Sequence, residues 1–216
     1  MKPRQFSQEE RRTGIKFKEP YARAVEAFRR DALSRPDYDP ANLFIFAAMM
    51  SRGLIGMLKA VEAEFGERGQ QVATEALVQV GREIVEEAMK GVELPAGLDP
   101  VELASLFTTW VNEVAYASVE NPSIDSREEC SFHIQWCPLQ DIYSPLDCRI
   151  QRYLVEGMLR AAPEAVKNFQ VAFDYGIPSG KPTCHFHLRQ KKAGEGNAWQ
   201  EYTRLINRKA LEERGK

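Results

Sequence analysis

Hydrophobic positions in the first half of the chain recur at helical spacing, and in the second half they begin to alternate. Residues 20–33 place Tyr21, Val25, Phe28 and Ala32 on one stripe, which predicts a helix that RPDYDP then stops. Asp39 as N-cap and Pro40 at the first helical position open a second helix over residues 40–65, ended by Gly66. Its opening stretch, LFIFAAMM, is apolar on every side and is expected to be a central, buried helix. Gly53 and Gly56 would let a neighbouring element approach closely or leave room for a ligand. A third helix over residues 70–90 carries Val72, Ala76, Val80, Ile84 and Ala88, with Gly91 as its stop. Asp99, Pro100 and Glu102 supply an N-cap, a first-turn proline and a capping-box acid for a fourth, over residues 99–119.

The period changes at Asn121-Pro122. From Glu129, Phe132, Ile134 and Trp136 share one face of a strand, and Ser131, His133, Gln135 and Cys137 the other. Ser144-Pro145-Leu146-Asp147 opens a helix to about residue 161, with Ile150, Tyr153, Leu154, Gly157 and Met158 as its buried stripe. Strands are expected at residues 168–175 and 183–190. In the second, Cys184, Phe186 and Leu188 point inward and His185, His187 and Arg189 outward. A polar helix over residues 198–213 closes the chain. Four helices followed by strand–helix–strand–strand–helix predict an α+β fold, with helices segregated against a small antiparallel sheet. Residues 1–216 read as a single domain: a loose arm at 1–18, a helical half at 19–120 and a mixed half at 121–216.

Composition narrows the function classes. A net charge of −2, with basic residues scattered over the helices, gives no nucleic-acid footprint. The N-terminus lacks the apolar run of a signal peptide. The most apolar segment, residues 43–58, is interrupted by Ser51-Arg52-Gly53 and is short for a bilayer span. The expected setting is therefore cytoplasmic, away from membranes, with four reduced cysteines rather than two disulfides. A small-molecule partner is expected, and a homo-oligomer is compatible with the composition.

All four cysteines and all three histidines lie in two segments, residues 130–152 and 183–187. Cys148 falls in the first turn of the helix opened by Ser144, where the helix dipole would enrich the nucleophilic thiolate, against the pull of Asp147. Cys137 sits at a strand exit before Pro138. His133 shares its strand face but lies roughly 13 Å away along the strand, and Asp141 in the following loop could approach the thiol. Cys184 is directed inward. No CxxC, HxxxH or HExxH spacing appears, although Cys137, Cys148 and Cys184 could gather around a divalent metal in three dimensions. Phosphate-binding glycine loops, GxSxG and dinucleotide fingerprints are absent from the sequence.

The segment EFGERGQQVATEALVQVGREI, the strand closing on Trp136-Cys137-Pro138, the pair Asp147-Cys148 and the run Cys184-His185-Phe186-His187 together resemble the L-2-amino-thiazoline-4-carboxylic acid hydrolase-like family. The resemblance spans residues 45–190. It implies hydrolytic opening of a five-membered C–N ring to an N-carbamoyl amino acid. The residues matching the family pattern are Cys137, Cys148 and Cys184, with Asp141 as a weaker addition, and they form a candidate catalytic pocket. Attack by a thiolate or an activated water on the amidine-like carbon is the expected chemistry. His133, Trp136 and Phe186 are expected to contact the substrate. A related resemblance is to small-molecule-binding domains of the vinyl-reductase type, which sense or carry hydrophobic ligands. On that reading the apolar helix and the strand aromatics wall a chemically inert pocket. A third reading is an accessory protein for a cofactor-dependent system. No cofactor is required by the sequence itself.

Overall fold

The alternating segments of the second half do pair. In the computed structural model, which describes residues 21–90 and 97–213, they form an antiparallel sheet of four strands, β1 (Val119–Ile124), β2 (Glu129–Trp136), β3 (Phe169–Tyr175) and β4 (Cys184–Gln190), in the order β1-β2-β4-β3. The helices are α1 (Tyr21–Phe28), α2 (Ala41–Met89), α3 (Pro100–Thr109), α4 (Arg149–Ala161), a one-turn α5 (Glu164–Lys167) and α6 (Ala198–Glu212). The fold is α+β, as expected. The expected N-terminal arm and the stop at Gly91 lie outside the described residues.

The helix boundaries follow local chemistry. The Asp99 capping box opens α3 with both of its reciprocal hydrogen bonds formed. The helix gives way to a π turn over Trp110–Ala115, and Ala117, at a φ of 51°, swings the chain into β1. The helix expected to reach residue 119 therefore stops short, and β1 was not anticipated. Its sequence, VENPSI, is poor in strand-forming residues, but Pro122 is tolerated because β1 lies at the sheet edge.

Helix α2 is broken by Gly66, whose φ of 55° and ψ of −135° are reached without strain only by glycine. The break is sharp. Gly69 lies against the carbonyl of Val61, and Gln70 donates to Glu62 at 2.8 Å, although residues eight apart in a straight helix stand about 12 Å apart. The two arms, residues 41–65 and 67–89, thus correspond to the two helices read from the sequence.

The second arm packs along α4 at a glycine crossing. Gly81 faces the Leu154 backbone and Gly157 faces the Val78 carbonyl, with no room for a β-carbon at either. A buried ion pair ties the first arm to α4 as well: Arg149 donates to Glu62 at 2.7 Å, with both side chains shielded from solvent. Apolar packing continues on three fronts. Val101 and Ala104 of α3 and Trp199 of α6 cover the inner sheet face of Phe132, Val171 and Leu188. Val85 of α2 joins Phe107, Trp110 and Met158. Ile55 and Leu58 meet Leu139, Tyr143, Ile150 and Tyr153. The last two clusters mix residues from both halves of the chain.

One expectation is overturned. The LFIFAAMM stretch is not a central helix: Ile45 is 64% exposed and Phe46 57%, and Met49, Met50 and Met57 are exposed as well. Open space lies beyond Gly53 and Gly56 rather than a neighbouring element. A helix that is apolar all round can bury only what meets a partner: within this stretch Phe44 meets Trp136, and the arm is buried only further on, where Ile55 and Leu58 reach Leu139 and Tyr143. By length and composition α2 is apolar enough to cross a membrane.

Candidate functional site

Between the inner face of the sheet, α4, α6 and the loops after β2 and β3 lies a cavity of about 140 Å3. Each wall has a source in the sequence. Strand parity sends Ile134, Phe173, Cys184 and Phe186 inward. Helix α4 contributes Gln151, Arg152 and Val155, with Cys148 just before its first turn. Helix α6 contributes Trp199, Tyr202 and Ile206, spaced to share one helical face. The Cys137–Leu139 loop, Tyr116 and Ser118 complete the enclosure.

Three of the predicted catalytic residues, Cys137, Cys148 and Cys184, meet at this cavity, and so does Phe186. Parity had placed Cys137 on the face of His133. The structure puts it on the opposite side, because β2 ends at Trp136 and its register with β1 shifts there, so alternation no longer governs the next residue. Asp141 is exposed in the turn after β2 and is not among the lining residues. Trp136 packs against Phe44, with ring centroids 6.2 Å apart, away from the cavity. His133 stacks on His185 at 4.2 Å on the outer sheet face, where Asp174 also accepts from His185 at 2.7 Å and His187 at 3.1 Å. The histidines are thus separated from the thiols by the sheet itself.

The electrostatics overturn the expectation of an activated thiol. Ser144 and Asp147 do form the reciprocal capping pair, at 3.3 and 3.2 Å, but it closes a turn ahead of α4, and Cys148 occupies the N-cap. Burial pushes the Cys148 thiol up to about 12, and neighbouring Cys137, Cys184 and Asp147 add to the effect. Burial likewise raises Cys137 and Cys184. Desolvation outweighs the helix dipole here, so all three are neutral thiols near neutral pH. The hydroxyl of Tyr116 is also held protonated by burial. Among the described residues no three His, Cys, Asp or Glu side chains are placed to hold a metal ion, so the three thiols share a cavity without forming a coordination site.

The charge in the cavity wall comes from a residue the sequence reading passed over. Arg152 is 6% exposed. Its guanidinium lies 3.8 Å from the Trp199 ring centroid and 4.6 Å from that of Tyr202. Nε donates to Thr203 Oγ1 at 3.0 Å and Nη2 to the Trp199 carbonyl at 2.9 Å. Periodicity alone assigns an arginine on an amphipathic helix to solvent. The signal that could have found it was the spacing of Trp199, Tyr202 and Ile206 on a helix otherwise read as polar.

No protein-family model matches the chain. Among solved structures, trafficking protein particle complex subunit 3 from Naegleria fowleri, covalently bound to palmitic acid, is similar with a TM-score of 0.40 and 16% identity, over 67% of this chain and 96% of that one. An uncharacterized protein of Archaeoglobus fulgidus is 44% identical over 205 residues, which covers 92% of this chain and 90% of that protein. With that identity over nearly the whole of both chains, this chain belongs to the same protein family as the Archaeoglobus fulgidus protein.

Proposed function

We propose that the protein binds a small apolar molecule in the cavity between the sheet, α4 and α6, and acts as a carrier or sensor of that molecule without chemical turnover. The observation that carries this reading is the lining. Ile134, Leu139, Val155, Phe173, Phe186 and Ile206 supply an apolar wall, and the titratable groups among them are neutral thiols, tyrosines and one arginine. Such a wall offers affinity through desolvation, while among the described residues no carboxylate or imidazole lines the cavity to move a proton. The volume suits a body about the size of one aromatic ring, since a cavity of roughly 150 Å3 lined by aliphatic and aromatic residues accepts benzene.

The test is methyl-detected NMR of the full chain titrated with toluene. Saturable shifts are expected at the methyls of Ile134, Leu139, Val155 and Ile206. They should disappear in Cys184→Phe, which fills the cavity. Absence of any saturable shift in the wild-type protein would remove the reading.

A second reading draws on the convergence of Cys137, Cys148 and Cys184: hydrolytic opening of a thiazoline-like C–N ring to an N-carbamoyl amino acid. Incubation with 2-aminothiazoline-4-carboxylate, followed by mass spectrometry, distinguishes the two. A gain of one water that is lost in Cys148→Ser supports the hydrolase. Binding without mass change supports the carrier.

A further inference from the structure

Building on the apolar-site reading above, we propose that the ligand carries one carboxylate and that Arg152 binds it. The chain buries two arginines on α4, and they are treated differently. Arg149 is matched by Glu62 at 2.7 Å. Arg152, also withdrawn from water, has no carboxylate within ion-pair distance among the described residues. Its nearest acidic neighbour on the helix, Glu156, is engaged by Arg160 at 3.1 Å and by Gln200 at 2.8 Å. Removing a guanidinium from water without a counter-charge is unfavourable, and only neutral acceptors, Thr203 Oγ1 and the Trp199 carbonyl, offset part of that cost.

The geometry leaves one group free for a ligand. Nε and Nη2 are occupied, the planar face rests on Trp199 and Tyr202, and Nη1 has no hydrogen-bond partner among the described residues. Arg152 itself lines the cavity. The two neutral hydrogen bonds and the aromatic rings fix the guanidinium in place before any ligand arrives, so little side-chain freedom remains to be lost on binding. Burial draws its pKa down only to about 10, so it remains a cation at neutral pH. A single monoanion of modest size matches a single cation in an otherwise apolar wall. A phosphate dianion would bring more charge and more acceptor oxygens than the lining can meet.

The probes are phenylacetate, phenylacetamide and 2-phenylethylamine, which share a ring and differ in charge, titrated calorimetrically into the full chain at neutral pH. Phenylacetate is expected to bind about tenfold or more tighter than phenylacetamide, the range of a charge-assisted hydrogen bond, and the amine weakest of the three. In Arg152→Met the acid should lose its advantage while the amide keeps its affinity, and Arg152→Lys should retain part of the preference. If Arg152→Met does not fold, as judged by circular dichroism, the wild-type acid-to-amide ratio and the lysine variant decide. Equal binding of acid and amide, with both displaced by toluene, overturns this inference and leaves the apolar site standing. No binding of any probe or of toluene overturns both.

Discussion

Two apolar regions of this molecule meet opposite fates. The first arm of α2 carries Leu43, Phe44, Ile45, Phe46, Met49 and Met50 in near-continuous sequence and leaves them exposed. The cavity wall draws Ile134, Val155, Phe173, Phe186, Trp199 and Ile206 from five separate elements and gathers them around one space. Apolar content in one stretch does not decide burial. What decides it is whether other elements arrive on each side, and a helix that is apolar all round needs partners on all sides to disappear from water. The arm has a partner on one side. The cavity wall is built from half-apolar elements, each needing cover on one face, and each receives it.

That contrast can be tested by substitution. The largest effect is expected where the inward-facing framework is tied together. Glu62→Ala takes the 2.7 Å partner from buried Arg149 and leaves it only the longer pair with Asp147 at 3.7 Å, which should cost about 3 kcal/mol in urea unfolding. Retention of wild-type stability would show that water reaches this pair. Next, Gly157→Ala or Gly81→Ala forces a β-carbon onto the backbone of the facing helix, and an overpacking cost of about 1–3 kcal/mol is expected. An alanine variant as stable as wild type would mean that α2 and α4 slide apart without penalty.

The thiols give a pH signature. Cys148 is raised in the folded protein from 9.0 to about 12, so above pH 9 the unfolded chain releases a proton that the folded chain keeps. Stability should be level on the acid side of that window and fall as pH climbs through it. The raised Tyr143, near 12, contributes in the same direction over the upper part of the range. Alkylation by iodoacetamide at pH 8 should correspondingly be slow at Cys148, and fast labelling there would contradict its burial. The smallest effect belongs to the outward arm: Ile45→Gln and Met57→Gln should change the unfolding free energy by no more than about 0.5 kcal/mol. A loss of several times that would show that these side chains are covered in solution, and would erase the distinction between the two regions.

Much of the architecture was legible because its signals are local. The Asp99 capping box, the break at Gly66 and the alternation of Cys184, Phe186 and Leu188 each act within a few residues, and each appears as read. Strand β1 was missed because VENPSI is held by its pairing with β2 and by Asn112, which donates to buried Glu120 at 2.6 Å, rather than by its own propensity. The candidate site was legible in part. The sequence brought Cys137, Cys148, Cys184 and Phe186 forward, whereas Trp136 and Asp141 were grouped with Cys137 by nearness along the chain and His133 by a strand parity that ends before Cys137.

What the residues determined unaided was most of the helices, three of the four strands, the α+β class and the inward direction of Cys184 and Phe186, since capping, glycine conformation and strand parity need no distant partner. Tertiary structure alone decided that three thiols share one cavity, that burial holds them neutral, that Arg152 faces that cavity with no carboxylate partner among the described residues, and that the most apolar stretch of the chain stays in the open. Each of these depends on which surfaces meet across long sequence separations, and desolvation acts only once they have met.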